Sequence, residues 1–295
     1  MPAEGGAQDL NGHVPSVCQS SPAREETELT DTTAANQRAA EALHAMRTAA
    51  PLVHNITNYV AMNIMANVML AAGASPAMLH AREEAAEFAG IAQALTLNIG
   101  TISPPWAEAM IGAAQSIAGK PWVLDPVAVG ATGYRRALGA ELLALSPTVI
   151  RGNASEILSL AGTQAAGKGA DAADSVAAAQ DAARALALRT GGVVAVTGAL
   201  DYVTDGTRAA EVANGHPMMP RITALGCSLT GIVGAFCVGQ NPFDATVAAL
   251  AFYGLAGERA GMASAGPGSF QVAFLDALAA ITPEDLAAGA RIAAR

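Results

Sequence analysis

Positive charge is in short supply in this sequence. Its 16 Lys and Arg stand against 25 Asp and Glu, for a net charge of −9. Phosphate backbones are bound by clustered Lys and Arg, so nucleic acid is excluded as the main partner. A small anion could still be held by a local field, from a helix N-terminus or one Arg. Aromatic residues are equally few, at 4%, while 52% of the chain is hydrophobic and rich in Ala and Gly. A core made of such residues brings helices close together instead of stacking bulky rings. The three cysteines, Cys18, Cys227 and Cys237, show no CxxC spacing, which excludes a disulfide framework or a zinc site and fits a reducing compartment. The N-terminus lacks a basic region followed by an apolar core, so no secretory signal is expected and a cytoplasmic location is. Pure apolar runs are missing too. Residues 56–80 and 222–243 carry no charge, but the first contains Asn58, Asn63 and Asn67 and the second is broken by Gly226, Gly231, Gly234 and Gly239. Both read as buried helices of a soluble protein, not membrane spans.

Residues 1–35 are rich in Gly, Pro, Ser, Thr and Glu without apolar periodicity, which predicts a disordered extension. From residue 36 to 295 the chain reads as a single domain without internal repeats. Helical periodicity covers 39–49, 58–72 and 81–94. Short, almost wholly apolar runs at 95–99, 122–124, 148–150 and 193–196 each end on polar or Gly residues: Gly100-Thr101, Asp125-Pro126, Arg151-Gly152-Asn153 and Thr197-Gly198. Continuous apolar strands separated by helices predict an α/β fold, a largely parallel sheet covered by helices on both faces. Ligands of such sheets bind at the carboxyl ends of the strands, where these polar residues fall. Residues 202–204 and 209–212, around Asp205-Gly206, predict a hairpin. Helices at 227–238, 244–263 and 269–280 follow, with a short one opened by Thr282-Pro283-Glu284-Asp285.

Residues 162–169, Gly-Thr-Gln-Ala-Ala-Gly-Lys-Gly, almost spell a phosphate-binding P-loop. The position after Lys168 should be Ser or Thr to hold magnesium, and the loop should follow a strand, whereas this one follows a helical pattern at 155–160. It reads as a connection. A better anion site is Ile222-Thr223-Ala224-Leu225-Gly226-Cys227-Ser228-Leu229-Thr230-Gly231, where a small-residue turn leads directly into an apolar helix. The first N–H groups of a helix have no intrahelical partner and its dipole adds partial positive charge. Tight packing of a buried helix start would give the same pattern. Cys227 at that terminus is placed where a thiol ionises more readily, although buried, inert Cys is also common. Asp125 and Glu156 lie at strand-to-helix turns, where carboxylates hold magnesium, cap a backbone or balance a dipole. Arg151 is suited to phosphate by its planar donor fork, and Thr197-Gly198 to nucleotide. Either could also be an ordinary surface or strand-end residue.

Together these residues resemble the hydroxyethylthiazole kinases, a branch of the ribokinase-like fold. The resemblance rests on Pro51-Leu52-Val53-His54-Asn55-Ile56-Thr57-Asn58, Gly73-Ala74-Ser75-Pro76-Ala77-Met78, Leu97-Asn98-Ile99-Gly100-Thr101, Leu124-Asp125-Pro126-Val127, Ile150-Arg151-Gly152-Asn153, Val196-Thr197-Gly198, Gly226-Cys227 and Gly266-Pro267-Gly268-Ser269-Phe270. It implies a homotrimer with active sites between subunits, ATP as co-substrate, Mg2+ as cofactor, and 4-methyl-5-(2-hydroxyethyl)thiazole as acceptor in thiamine biosynthesis or salvage. By position, it implies that Met78 and Ala224 contact the thiazole, Arg151 and Thr197 contact ATP, and Asp125 and Glu156 support the metal. Cys227 stands where most ribokinase-like enzymes carry an Asp base. The family usually reads Thr-Gly-(Ala or Thr)-Gly-Cys, whereas this chain places Ala224 and Leu225 in the turn. Two rival readings are a P-loop nucleotide hydrolase dependent on Lys168 and a non-catalytic thiazole or thiamine binder that needs no ATP.

Overall fold

The computed structural model describes residues 22–117, 119–162 and 172–295, with side-chain surroundings given from residue 32 in the first stretch and from 177 in the last. The near-P-loop at 162–169 lies outside the described residues beyond Gly162, as does Lys168. Gly162 itself takes φ 81 as the left-handed C-cap of a helix, Ala154–Ala161, a position that favours glycine.

The chain opens with helix α1 (Pro22–Ala49) and then alternates β1 (Leu52–Ile56), α2 (Met62–Ala72), β2 (Ser75–Ala77), α3 (Ala85–Ile91), β3 (Ala94–Asn98), α4 (Pro104–Ser116), β4 (Trp122–Asp125), α5 (Gly133–Ala144), β5 (Val149–Asn153), α6 (Ala154–Ala161), α7 (Ala172–Thr190) and β6 (Val193–Thr197). The meander strands β7 (Asp201–Thr204) and β8 (Ala209–Val212) follow. The chain then passes through a 3-10 turn (Met219–Arg221) into α8 (Leu225–Phe236), α9 (Pro242–Met262), α10 (Pro267–Ala280), α11 (Pro283–Gly289) and β9 (Ile292–Ala294). Among the described residues these strands form one nine-stranded sheet in the order β2-β1-β3-β4-β5-β6-β7-β8-β9. Pairing is parallel from β2 to β6 and antiparallel from β6 to β9.

Helices cover both faces because adjacent residues of a strand point to opposite sides. Val123, Val149 and Val193 feed one core with α1, α2, α8, α9 and α10, while Leu124, Ile150 and Val194 feed the other with α3 to α7. Low aromatic content translates into close approach. A Cβ on Gly234 of α8 would lie 2.7 Å from Thr96 of β3, and one on Gly231 would lie 2.6 Å from Met69 of α2. The charge-free stretch at 222–243 is thus a helix pressed onto the sheet. Among the described residues, no helix is long and apolar enough to cross a membrane.

Several boundaries differ from the sequence reading. Helix α1 begins at Pro22, inside the segment read as a disordered extension, and Ala35 is buried. Its composition hid the helix because charged and hydroxyl residues mask the few apolar positions. Asn36 ties α1 to the far end of the sequence, its amide donating to the carbonyls of Ala287 (3.3 Å) and Ala290 (2.7 Å). Residues 58–61 form a turn before α2, and 81–94 splits into α3 and the start of β3. In each case a loop or strand carries the apolar periodicity of a longer helix.

Candidate active site

The carboxyl ends of β3, β4, β5 and β6 bring their polar residues into one hydrogen-bonded row. Asp125, which ends β4, is fully buried. Its Oδ2 accepts from Asn98 Nδ2 of β3 (2.6 Å), Thr230 Oγ1 of α8 (2.8 Å) and Arg151 Nη1 of β5 (3.4 Å). Its Oδ1 is buried without a partner. Burial pushes this carboxyl above its ordinary range; the Arg151 guanidinium pulls it back and the negative charge of Glu156 raises it further. Arg151 continues the row by donating from Nη2 to Thr197 Oγ1 (2.8 Å), and its Nε is also buried without a partner. Thr197 is held in register by β5–β6 pairing opposite Asn153.

Glu156 sits in the first turn of α6 and does two jobs there. Its Oε2 accepts from Asn153 N–H (2.9 Å), closing a capping box with the Asn153 side chain. Its Oε1 accepts from Ala128 N–H (2.9 Å), where the backbone after β4 turns left-handed at φ 51. The loops after β4 and β5 are therefore locked together. Arg135 of α5 performs the same service between the loops after β3 and β4, donating to the carbonyls of Ile99, Gly100 and Val127.

Across the row lies the start of α8. Ala224 precedes it with φ 63 and ψ 5 and no side-chain cap, so the first N–H groups of the helix are left for a ligand or water. The left-handed conformation costs a residue with a Cβ roughly 1–2 kcal/mol, and it is where the family pattern has Gly. Leu225, the second departure, buries its side chain in the core at 3% exposure, anchoring the turn from the inside. Gly226 lies against the cation, since a Cβ there would be 3.3 Å from Arg151 Nη2.

Cys227 follows, with its Sγ accepting from Asn58 Nδ2 at 3.3 Å. The same Asn58 amide donates to Asn98 Oδ1 (2.9 Å), and Asn58 Oδ1 accepts from Ala61 N–H to start α2. Gly100 is required beside it, because a Cβ there would sit 2.7 Å from Asn58 Cβ. The helix position favours ionisation of Cys227, yet the site opposes it. Burial and the neighbouring Asp125 push the thiol up, only partly offset by the Asn58 and Asn98 amides and by Arg151. The group is therefore a neutral thiol near pH 7.

Asp125, Arg151, Thr197, Glu156, Ala224 and Cys227 thus converge on one end of the sheet. Met78 stands apart from the row. It follows edge strand β2 and packs partly buried on the larger core. Its loop is held by His54 of β1, whose Nε2 bonds the carbonyl of Leu79 at 2.9 Å. Sequence reasoning missed Asn58, Asn98 and Thr230. Asn98 and Asn58 do carry a signal, as single amides at or just beyond the ends of apolar strands; Thr230 carries none within its helix.

Two features bear on a divalent cation. The buried Asp125 Oδ1 is an acceptor oxygen without a partner, and Glu156 brings a second carboxylate close enough to raise Asp125. Among the described residues no cluster of three or more His, Cys, Asp or Glu side chains forms a metal cage. Magnesium bound with a nucleotide needs only one or two carboxylates beside the phosphates, so Asp125 and Glu156 fit it.

The family model described as "Hydroxyethylthiazole kinase family" matches residues 43–284. A hydroxyethylthiazole kinase of Cereibacter sphaeroides is 67% identical over 254 residues, spanning 85% of this chain and 97% of the relative. Another, from Rhizobium etli, is 60% identical over 254 residues, spanning 85% and 98%. The solved structure of a hydroxyethylthiazole kinase protein from Pyrococcus horikoshii superposes with a TM-score of 0.81 at 39% identity, covering 87% of this chain and 98% of that one. Pyridoxal kinase from Staphylococcus aureus in complex with ADP, at TM-score 0.57 and 15% identity over 71% of this chain and 88% of that one, shares the fold alone. This chain, with its ribokinase-like sheet, belongs to the hydroxyethylthiazole kinase family and is a kinase.

Proposed function

We propose that this protein transfers the γ-phosphoryl group of ATP to the hydroxyl of 4-methyl-5-(2-hydroxyethyl)thiazole, in thiamine biosynthesis or salvage, in the cytoplasm. The observation that carries the reading is the meeting of the Asp125–Arg151–Thr197 row with the uncapped start of α8. Phosphoryl transfer needs little covalent help from the protein and depends on positioning and on stabilising charge over the transferring oxygens. Arg151 and Thr197 hold the nucleotide phosphates, while the N–H groups opening α8 face the charge that grows during transfer. Met78 and Ala224 contact the thiazole ring. Asp125 and Glu156 would hold Mg2+, which supplies neutralisation of phosphate charge when bound.

Cys227 lies at the acceptor hydroxyl. As a neutral thiol it positions that hydroxyl and does not remove the proton in the ground state. This suits a loose transition state, in which the alcohol oxygen forms its bond to phosphorus late, as the bond to ADP is already breaking, and gives up its proton only then, to an oxygen of the transferred phosphoryl group. Incubating the protein with ATP, Mg2+ and the thiazole alcohol should yield a product heavier by one phosphoryl group in mass spectrometry. Nucleotide turnover that leaves the alcohol unmodified would refute the reading.

The active form in this proposal is a homotrimer with sites between subunits. Tyr59, Val60 and Leu70, in and before α2, are more than half exposed, in a segment without charge to solvate it. Asn58 is spent within its own chain on Cys227, but Asn63 and Asn67 lie on the exposed surface and bond only each other among the described residues. Such a face is satisfied by a second copy. In a closed ring of three, Met78 of one protomer can meet the Gly226–Cys227 turn of its partner. Subunit exchange between inactive Met78→Asp and Asp125→Asn variants should then restore about a quarter of wild-type sites, by counting neighbour pairs in the ring. Verified exchange without recovered activity would assign each site to one chain.

A further inference from the structure

The turn that opens α8 is fixed from behind by two hydroxyl groups, neither of which belongs to the row described above. The carbonyl of Ala224 accepts from both the N–H and the Oγ of Ser228, each at 2.8 Å. The carbonyl of Leu225, already within the helical ladder, accepts a second bond from the Tyr253 hydroxyl at 2.8 Å. Tyr253 comes from α9, is 2% exposed, and has its ring set edge-on to Phe274 at 4.8 Å. Its phenol is therefore held by packing before it reaches the turn.

A trans peptide is planar, so its C=O and the following N–H point in opposite directions. Fixing the Ala224 carbonyl fixes the Leu225 N–H, and fixing the Leu225 carbonyl fixes the Gly226 N–H. Those two donors are among the first of the helix, which lacks a side-chain cap, and Gly226 abuts Arg151. The turn needs such support here. Ala224 occupies a left-handed conformation that disfavours any residue with a Cβ, so without restraint the peptide planes that follow it would relax.

We propose that Tyr253 and Ser228 are positioning residues for phosphoryl transfer, aiming the Leu225 and Gly226 N–H groups at the transferring phosphoryl group. The inference rests on the reading of this turn as the phosphate-facing end of α8. Neither side chain touches the reacting atoms. Their contribution is made through the backbone and is greatest in the transition state, when charge spreads over the oxygens that those N–H groups meet.

The test uses Tyr253→Phe and Ser228→Ala in the full chain. Steady-state kinetics with ATP, Mg2+ and the thiazole alcohol are combined with binding of ADP alone and of ADP with magnesium and aluminium fluoride, a planar mimic of the transferring group. Tyr253→Phe should lower kcat by about tenfold while both KM values stay within about twofold. Affinity for the fluoride mimic should fall with kcat, and affinity for ADP should not. Ser228→Ala should act in the same direction but less, because its backbone N–H still holds the Ala224 carbonyl. Wild-type kcat and wild-type mimic affinity in both variants would overturn the proposal. So would a loss spread equally over kcat, both KM values and Tm, which marks general loosening. If Tyr253→Phe fails to fold, Ser228→Ala decides by the same criteria. Absence of alcohol turnover by the wild type would count against the proposed function, whereas the fluoride-mimic comparison still reads the positioning of the turn.

Discussion

Replacement of Asp125 by Asn is expected to lower turnover by about a thousandfold, a loss at the upper end for removing one preorganised electrostatic group. The side chain keeps its shape, and one carbonyl oxygen can still accept from Asn98, Thr230 or Arg151. What disappears is the negative charge, and the new amide then places donor hydrogens at the unpartnered oxygen position where a cation would bind. Stability should respond differently from activity. Burial raises the Asp125 carboxyl above its ordinary value of 3.8, so the folded state binds this proton more tightly than the unfolded chain does. The group therefore contributes stability at low pH and loses it as pH climbs through and above the ordinary carboxylate range. The Asn variant carries no such loss, and its Tm relative to wild type should rise from pH 4 to pH 7. Turnover within tenfold of wild type, measured across a magnesium titration, would remove Asp125 from the catalytic machinery.

Arg151→Ala should weaken ATP binding by about ten- to a hundredfold, corresponding to the loss of charge-assisted bonds worth about 1.5–3 kcal/mol. Thiazole affinity should change far less. The variant also leaves the buried Asp125 charge without its cation, and breaking a buried pair costs about 3–5 kcal/mol. Here the lower end applies, because Asn98 and Thr230 still donate to the carboxylate. Arg151→Lys should recover only part of the nucleotide affinity, since an ammonium cannot bridge Asp125 and Thr197 with a planar fork. Calorimetric titration of nucleotide into each variant checks the order; unchanged ATP affinity in Arg151→Ala would refute a phosphate contact.

The residues most legible in the sequence were those ending an uninterrupted apolar strand. Asp125, Arg151 and Thr197 each stop such a run, and the parallel sheet sets their ends side by side. The helix start at Gly226-Cys227 was legible for a similar reason, because small residues lead into an apolar stretch. Asn58 was absorbed into an apparent helical period, and Tyr253 looks like any aromatic residue of a buried helix until its hydroxyl is seen to reach Leu225. Elements were lost where they are short or poorly patterned. Strands β2 and β9 have three residues each, too few for a period of two to show. Helix α4 begins at Pro104-Pro105, which reads as a break although proline is well suited to a helix's first turn. The left-handed backbone at Ala224 was not legible in the residue itself, which carries a Cβ; only the Gly of the family pattern at that position hints at it.

The bond between Asn36 and the carbonyls of Ala287 and Ala290 closes loops of 251 and 254 residues. Local helices can form within microseconds, but α1 packs against α9 and α11 and lacks both until most of the chain is made, and β8 keeps an open edge until β9 pairs with it. The contact order of the fold is thereby raised, and folding slows as the chain searches for partners so distant in sequence. During synthesis, at about 5–20 residues per second, the nascent chain holds the α1 surface and the β8 edge exposed for on the order of ten seconds or more. Exposed apolar surface and an unpaired strand edge are what make a nascent chain prone to aggregate, so a substitution at Asn36 should reveal itself first as a lower yield of folded protein, before any change in the finished enzyme.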